Sequence, residues 1–276
     1  MENRLLPNFL VIGAQKSGTT WLYHMLRQHP EVFVPKCKEV HFFNKSENYE
    51  RGVDWYRSFF VGRDDEKAIG EATPNYFWTS KNERTYYSRT ANVPSLVKNI
   101  IPRSKIILTL RNPVERAVSA YYEHIRQGRI SPRERISDIL NLYGILSMGY
   151  YDIHLQRWTK IFPNEQFLIL IFEEDIAAGN GKTAEKVYQF LDVDPSFVPD
   201  DLRQKRKVRK SHLFMRLKPI STRLAYFVAE HMPQVEAIER LTRIPVHQEE
   251  REILREEYAP HVDRLEELLG RRLPWS

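Results

Sequence analysis

With one cysteine, Cys37, among 276 residues, the chain can close no internal disulfide and cannot assemble a cysteine-rich zinc site. That scarcity fits a reducing compartment, and the expected location is the cytoplasm. The chain also lacks a glycine- and serine-rich linker, a low-complexity tract and an internal repeat, which excludes flexibly tethered modules and solenoids. No run of residues is apolar and long enough to span a bilayer. The opening segment Met1–Pro7 is short and polar, so neither a transmembrane segment nor a signal peptide is expected. Acidic residues number 36 against 42 Lys and Arg. The resulting net charge of +6 and pI near 9.2 favour anionic partners without naming one. What is present suffices for a folded core: 42% hydrophobic and 12% aromatic residues, with a charged fraction of 28% that is ordinary for a globular chain. One domain is expected over residues 1–276.

Phe9–Ile12 is a short apolar run ending at Gly13. After a polar loop, a helical pattern starts near Thr19, with Trp21, Leu22, Met25 and Leu26 on one face. His29 and Pro30 end that helix, 35–48 reads as an irregular loop, Gly52–Phe60 as a short helix and Ala68–Glu71 as a strand. Val93–Ile101 reads as a helix and Ile106–Leu110 as a buried strand. Asn112 as N-cap and Pro113 at the first helical position then open a helix over Val114–Gln127. An amphipathic helix over Gly149–Phe162, a buried strand Gln166–Phe172, a helix Lys182–Leu191 and a charge-laced helix Gln248–Leu269 complete the pattern. Strands alternating with helices imply an α/β fold, a mainly parallel central sheet flanked by helices.

Gly13-Ala14-Gln15-Lys16-Ser17-Gly18-Thr19-Thr20-Trp21 joins the first strand to the first helix, where backbone amides and a helix N-terminus form an anion cradle. Set against the nucleoside-triphosphatase pattern GxxxxGK[ST], both glycines are in place, but the lysine lies further back, at Lys16, and Thr19 holds its usual position. The strand Leu108-Thr109-Leu110 runs into Arg111 instead of an acidic magnesium ligand, so a phosphate site without metal is expected. The competing reading is a strand-to-helix turn with an incidental lysine.

Several separated segments share a further resemblance. They are Phe9–Trp21, Lys38-Glu39-Val40-His41-Phe42-Phe43-Asn44, Gly52–Tyr56, Glu71-Ala72-Thr73-Pro74-Asn75-Tyr76-Phe77, Arg111–Ser119 and His154–Pro163. Together they resemble sulfotransferases that use 3′-phosphoadenosine 5′-phosphosulfate (PAPS), in the branch holding heparan sulfate sulfotransferases and their soluble bacterial relatives. The resemblance implies that Lys16, Ser17, Gly18, Thr19, Thr20 and Trp21 hold the 5′-phosphosulfate end, and that Arg111 and Ser119 bind the 3′-phosphate. It implies Glu39 as general base and Lys16 as stabiliser of the leaving group. His41, two residues on in a segment read as extended, would assist Glu39 or bind the acceptor. The competing readings are an Arg111 paired with Glu115, a surface Ser119, a Glu39 paired with Lys36 or Lys38, and a His41 packed among Phe42 and Phe43.

Two positions depart from the heparan branch: Asn44 replaces an aspartate and Ala72 replaces a lysine, so a highly sulfated polysaccharide acceptor is disfavoured. The C-terminal cysteine pair of the animal enzymes has no counterpart here, and a membrane anchor like theirs is not expected. The basic stretch Arg203–Lys210 is a candidate to close over the donor, through Arg209 and Lys210 among others, or else a solvated cationic face. Phe214 is the one aromatic near that charge, so nucleic acid is not an expected partner. The expected reaction moves a sulfuryl group from PAPS to a hydroxyl or amine of a glycan, lipid or small natural product, leaving adenosine 3′,5′-bisphosphate. A nucleotide or small-molecule kinase and a non-catalytic anion-binding module are the alternatives. Oligomeric state cannot be read from the chain.

Overall fold

A computed structural model describes residues 6–61, 65–78, 92–131, 133–178, 181–200 and 245–275. The basic stretch Arg203–Lys210 and Phe214 lie outside the described residues. The elements in order are β1 Phe9–Gly13, α1 Thr19–Leu26, β2 Val32–Phe33, α2 Ser46–Tyr49, α3 Gly52–Arg57, β3 Ala68–Ala72, α4 Val93–Ile100, β4 Lys105–Leu110 and α5 Pro113–Arg126. They continue with α6 Tyr151–Thr159, β5 Phe167–Ile171, α7 Lys182–Phe190 and α8 Gln248–Leu269. The strands form one parallel sheet in the order β2-β3-β1-β4-β5, with β1 opposite Gly70 on one side and Lys105 on the other at Phe9.

Strand alternation decides which residue feeds which layer. Leu10, Ile12, Ile106, Leu108 and Leu110 face a core with Val93 and Val97 of α4 and Tyr151, Leu155 and Trp158 of α6. Phe9, Val11 and Ile107 face the opposite one, with Leu22 and Leu26 of α1 and Val187 and Tyr188 of α7. Both faces of β1, β3 and β4 are therefore covered, which is why Phe9–Ile12 and Ile106–Leu108 read as apolar runs without alternation. β5 was expected to be buried throughout, yet Phe167, Leu168 and Ile169 are only half-buried, because the strand lies at the sheet edge. The helix expected over Gly149–Phe162 spans only Tyr151–Thr159: Ser147–Gly149 wind as a tighter turn before it, and the chain leaves it at Lys160 to reach β5.

Asn112 caps α5 as expected, its side chain accepting from Val114 N at 3.0 Å and Glu115 N at 3.3 Å. α8 docks on α5 and α6 through Leu254 and Tyr258 and through a buried ionic cluster. Asp152 on α6, 1% exposed, takes His261 Nδ1 on Oδ1 and Arg264 Nε on Oδ2, both at 2.7 Å. Removing that carboxylate by Asp152→Ala leaves His261 Nδ1 without its partner in the helix interface and releases the half-exposed Arg264 to water. A loss of about 2 kcal/mol is expected, read as a lower urea midpoint with unchanged slope.

Candidate functional site

A parallel sheet delivers all its strand ends to one edge, and open α/β sheets bind ligands there. β1 ends in the loop 14–18, β3 in Thr73–Phe77, β4 in Arg111 and β5 in the turn Phe172–Ile176. The loop after β1 is pinned from both neighbours. Thr109 Oγ1 donates to Gly13 O at 2.9 Å, Ala14 N donates to Thr109 O at 2.6 Å, and Phe77 N donates to Ile12 O at 2.9 Å. A β-carbon on Gly13 would stand 2.7 Å from Phe77 Cβ and 2.8 Å from Pro74 O, so only glycine allows that approach. Gly18, at φ +92°, caps α1 in the left-handed region, and a side chain there would strike Ile176 and Phe172. No side chain caps α1, so the first amides of the helix point into the loop without a helical partner.

Lys16 also has a left-handed backbone, at φ +69°. Its carbonyl accepts from Arg111 Nη1 at 3.2 Å, and its ammonium lies 3.0 Å from Glu123 Oε2. Glu123 further binds Arg126 and takes Gln127 Nε2 at 2.7 Å. Arg111 lies with its guanidinium 4.8 Å from the Phe172 ring centroid, and Tyr151 Oη donates to its carbonyl at 3.0 Å. The alternative pairing with Glu115 is not made; Glu115 binds Arg251 instead. One buried polar atom of this cradle, Arg111 Nε, has no hydrogen-bond partner, and the buried Ser17 hydroxyl has none of good geometry, lying beside Tyr151. Buried donors without partners are costly in a finished core, and here they suit a ligand bearing phosphate oxygens. Thr19 is buried, Thr20 exposed and Trp21 half-buried against the second core. Ser119 lies one helical turn before Glu123, hence on the face of α5 that carries the lysine's partner. Arg209 and Lys210 lie outside the described residues.

The segment holding Glu39 and His41 is not extended. Both residues are left-handed, at φ +69° and +57°. The turn winds over the end of β3 because Glu39 N donates to Ala72 O at 3.1 Å and His41 N to Thr73 Oγ1 at 3.5 Å, while Asn48 Nδ2 bonds the carbonyls of Val40 and His41. The two side chains still meet, with His41 Nε2 3.5 Å from Glu39 Oε2 and His41 Nδ1 3.2 Å from Asn44 Oδ1. Lys38 Nζ sits 2.7 Å from Glu39 Oε1, so the expected alternative pairing with Lys38 is present, and a third of the Glu39 side chain (36%) is exposed. Burial pushes the Glu39 carboxyl up, but the His41 hydrogen bond and the Lys38 charge outweigh it and hold the group down at about 2.

Glu123 and Phe172 escaped the sequence reading. Each carries a faint signal: Glu123 is four residues beyond Ser119 on a helix, and Phe172 follows β5 as Arg111 follows β4.

Residues 6–223 match the family model described as "Sulfotransferase domain". The chain is 32% identical over 215 residues to human bifunctional heparan sulfate N-deacetylase/N-sulfotransferase 3, covering 70% of this chain and 23% of that protein. It is 31% identical over 195 residues to human heparan sulfate glucosamine 3-O-sulfotransferase 6, covering 68% and 53%. It thus spans about a quarter to a half of the length of these relatives. A crystal structure of a sulfotransferase from Alicyclobacillus acidocaldarius superposes with a TM-score of 0.71 at 26% identity, covering 97% of each chain. The sulfotransferase domain from the curacin biosynthetic pathway, at 13% identity and a TM-score of 0.51, shares the fold. None of these supports the kinase alternative.

Proposed function

The chain belongs to the sulfotransferase family, and from that premise we propose that it moves the sulfuryl group of PAPS onto a hydroxyl or amine of a glycan, lipid or small natural product. The observation that carries the reading is the unpartnered buried donor Arg111 Nε, next to Lys16 and the buried Ser17 hydroxyl at the C-terminal edge of the sheet. Ser17, Gly18, Thr19, Thr20 and Trp21 would hold the 5′-phosphosulfate end by hydroxyls and by the free amides of α1. Arg111 and Ser119 would hold the 3′-phosphate, Arg111 offering a planar fork suited to it. The donor supplies the sulfuryl group and a departing bisphosphate. Lys16 offsets negative charge growing on that departing group, and Glu39 takes the acceptor's proton, with His41 fixing the carboxylate's outer oxygen. Asn44 and Ala72 bring no charge to the acceptor side, which favours an acceptor of low charge.

We also propose that 1–276 is one catalytic domain and that it works in the cytoplasm, in keeping with its single cysteine. Among the described residues no helix is long and apolar enough to cross a membrane.

Calorimetric titration with adenosine 3′,5′-bisphosphate tests the donor site. One site per chain is expected, unaffected by a magnesium chelator and weakened at least about tenfold by Arg111→Ala, the value of a charge-assisted phosphate contact. Absence of binding, or binding that requires magnesium, overturns the reading. A glucosamine-bearing heparosan oligosaccharide, 2-naphthol and a long-chain alcohol serve as trial acceptors.

A further inference from the structure

Glu71, the penultimate residue of β3, is 1% exposed, and its carboxylate has no basic partner among its hydrogen bonds. Three hydroxyls surround it: Tyr56 Oη at 2.7 Å and Tyr76 Oη at 2.9 Å on Oε1, and Thr73 Oγ1 at 2.7 Å on Oε2. Each hydroxyl has a single hydrogen, and all three point at Glu71, so their lone pairs are left to accept. Two of them accept from the Glu39 turn. Tyr76 Oη takes Phe42 N at 2.9 Å and Phe43 N at 3.4 Å, and Thr73 Oγ1 takes His41 N at 3.5 Å. A carboxylate that polarises a hydroxyl makes it a better acceptor in turn. Below the turn, the Phe42 ring stacks on Tyr56 at 4.4 Å, so the side chains of the turn are fixed by the aromatic core while its amides are fixed by the carboxylate's hydroxyls.

We infer that Glu71 is a positioning residue for the Glu39 turn, acting through the Thr73 and Tyr76 hydroxyls on the amides of residues 41–43. Two consecutive-but-one left-handed residues without glycine persist only where surrounding bonds over-determine them, and these bonds supply that constraint. Burial raises the Glu71 carboxyl, and the three hydroxyls and the nearby His41 oppose that rise. An apolar residue would fill the same space without that desolvation; what the carboxylate adds is the hold on the turn. The inference rests on the sulfotransferase reading only for the role given to Glu39.

Amide hydrogen exchange reads the turn without any acceptor. In Glu71→Gln, exchange of amides 41–43 is expected to rise at least about tenfold, as a local opening does, with 13–21 unchanged. Affinity for adenosine 3′,5′-bisphosphate should stay within about twofold, while kcat for PAPS turnover falls about tenfold or more, and the variant should add no further loss in a Glu39→Gln background. Thr73→Val should free the His41 amide and lower kcat likewise, and Thr73→Ser should restore both. Unchanged exchange at 41–43, equal acceleration along the whole chain, or losses that add fully to those of Glu39→Gln overturn the inference. Should Glu71→Gln fail to fold, the Thr73 pair decides. If the unaltered protein turns over no PAPS, the functional reading fails while the exchange result still judges the turn.

Discussion

Replacing Lys16 by alanine is expected to lower kcat for PAPS turnover about 10³-fold while weakening adenosine 3′,5′-bisphosphate binding by no more than about tenfold. Sulfuryl transfer leaves charge on the departing phosphate, so a cation held at that point acts more on the transition state than on the bound donor. Removing one preorganised donor of this kind typically costs 10²–10³ in rate, and a full positive charge in a loop partly shielded from water belongs at the upper end. The structure shows how the lysine is preorganised. Its backbone is left-handed, its carbonyl is gripped by Arg111, and its ammonium rests on Glu123 across the cradle. Loss of the ammonium frees Glu123 to Arg126 and Gln127, which already bind it, so no buried carboxylate is stranded and stability should change little. Steady-state kinetics beside calorimetry separate the two roles: a binding loss that matches the loss in kcat/KM, with kcat intact, makes Lys16 a donor-binding residue only.

Much of this site is legible in the chain because its parts lie at strand ends. Phe9–Gly13 and Lys105–Leu110 are apolar runs too short for surface helices, and each is followed by the residue types a phosphate needs. Asn112-Pro113 announces α5 so plainly that the position of Ser119 on it follows by counting. β2 is two residues long and leaves no periodicity to read. The left-handed turn at Glu39 and His41 is equally silent, since neither residue is glycine and the bonds that hold it come from Thr73 and Tyr76, more than 30 residues away. Glu71 looks like a charged strand end until the fold brings three hydroxyls to it. Long-range partners of this kind depend on sheet order, and sheet order is not written in local pattern.

Glu39→Gln is the second large effect, and its size and pH dependence follow from one number. A carboxyl held down at about 2 is ionised throughout the working range, so the base form is always present, but its weak basicity limits the driving force for taking a proton. The loss of kcat should therefore sit near the lower end of general-base effects, about 10²-fold, with donor affinity unchanged because Glu39 stands on the turn between β2 and α2 and not in the cradle. The sign of the pH effect is set by the depression: a lowered carboxyl keeps its charge as pH falls, and gives it up only on passing through its own low value. Since kcat/KM reports the free enzyme, no acid limb belonging to Glu39 should appear between pH 4 and 8. Breaking the Lys38 contact with Lys38→Ala removes one of the groups that hold the carboxyl down, so any Glu39 limb should then move upward toward the ordinary carboxylate range. An acid limb near pH 4.5 in the unaltered enzyme that vanishes in Glu39→Gln contradicts the geometry of the Lys38–Glu39–His41 cluster. A kcat untouched by Glu39→Gln removes the glutamate from the chemistry and leaves His41 as the base at this turn.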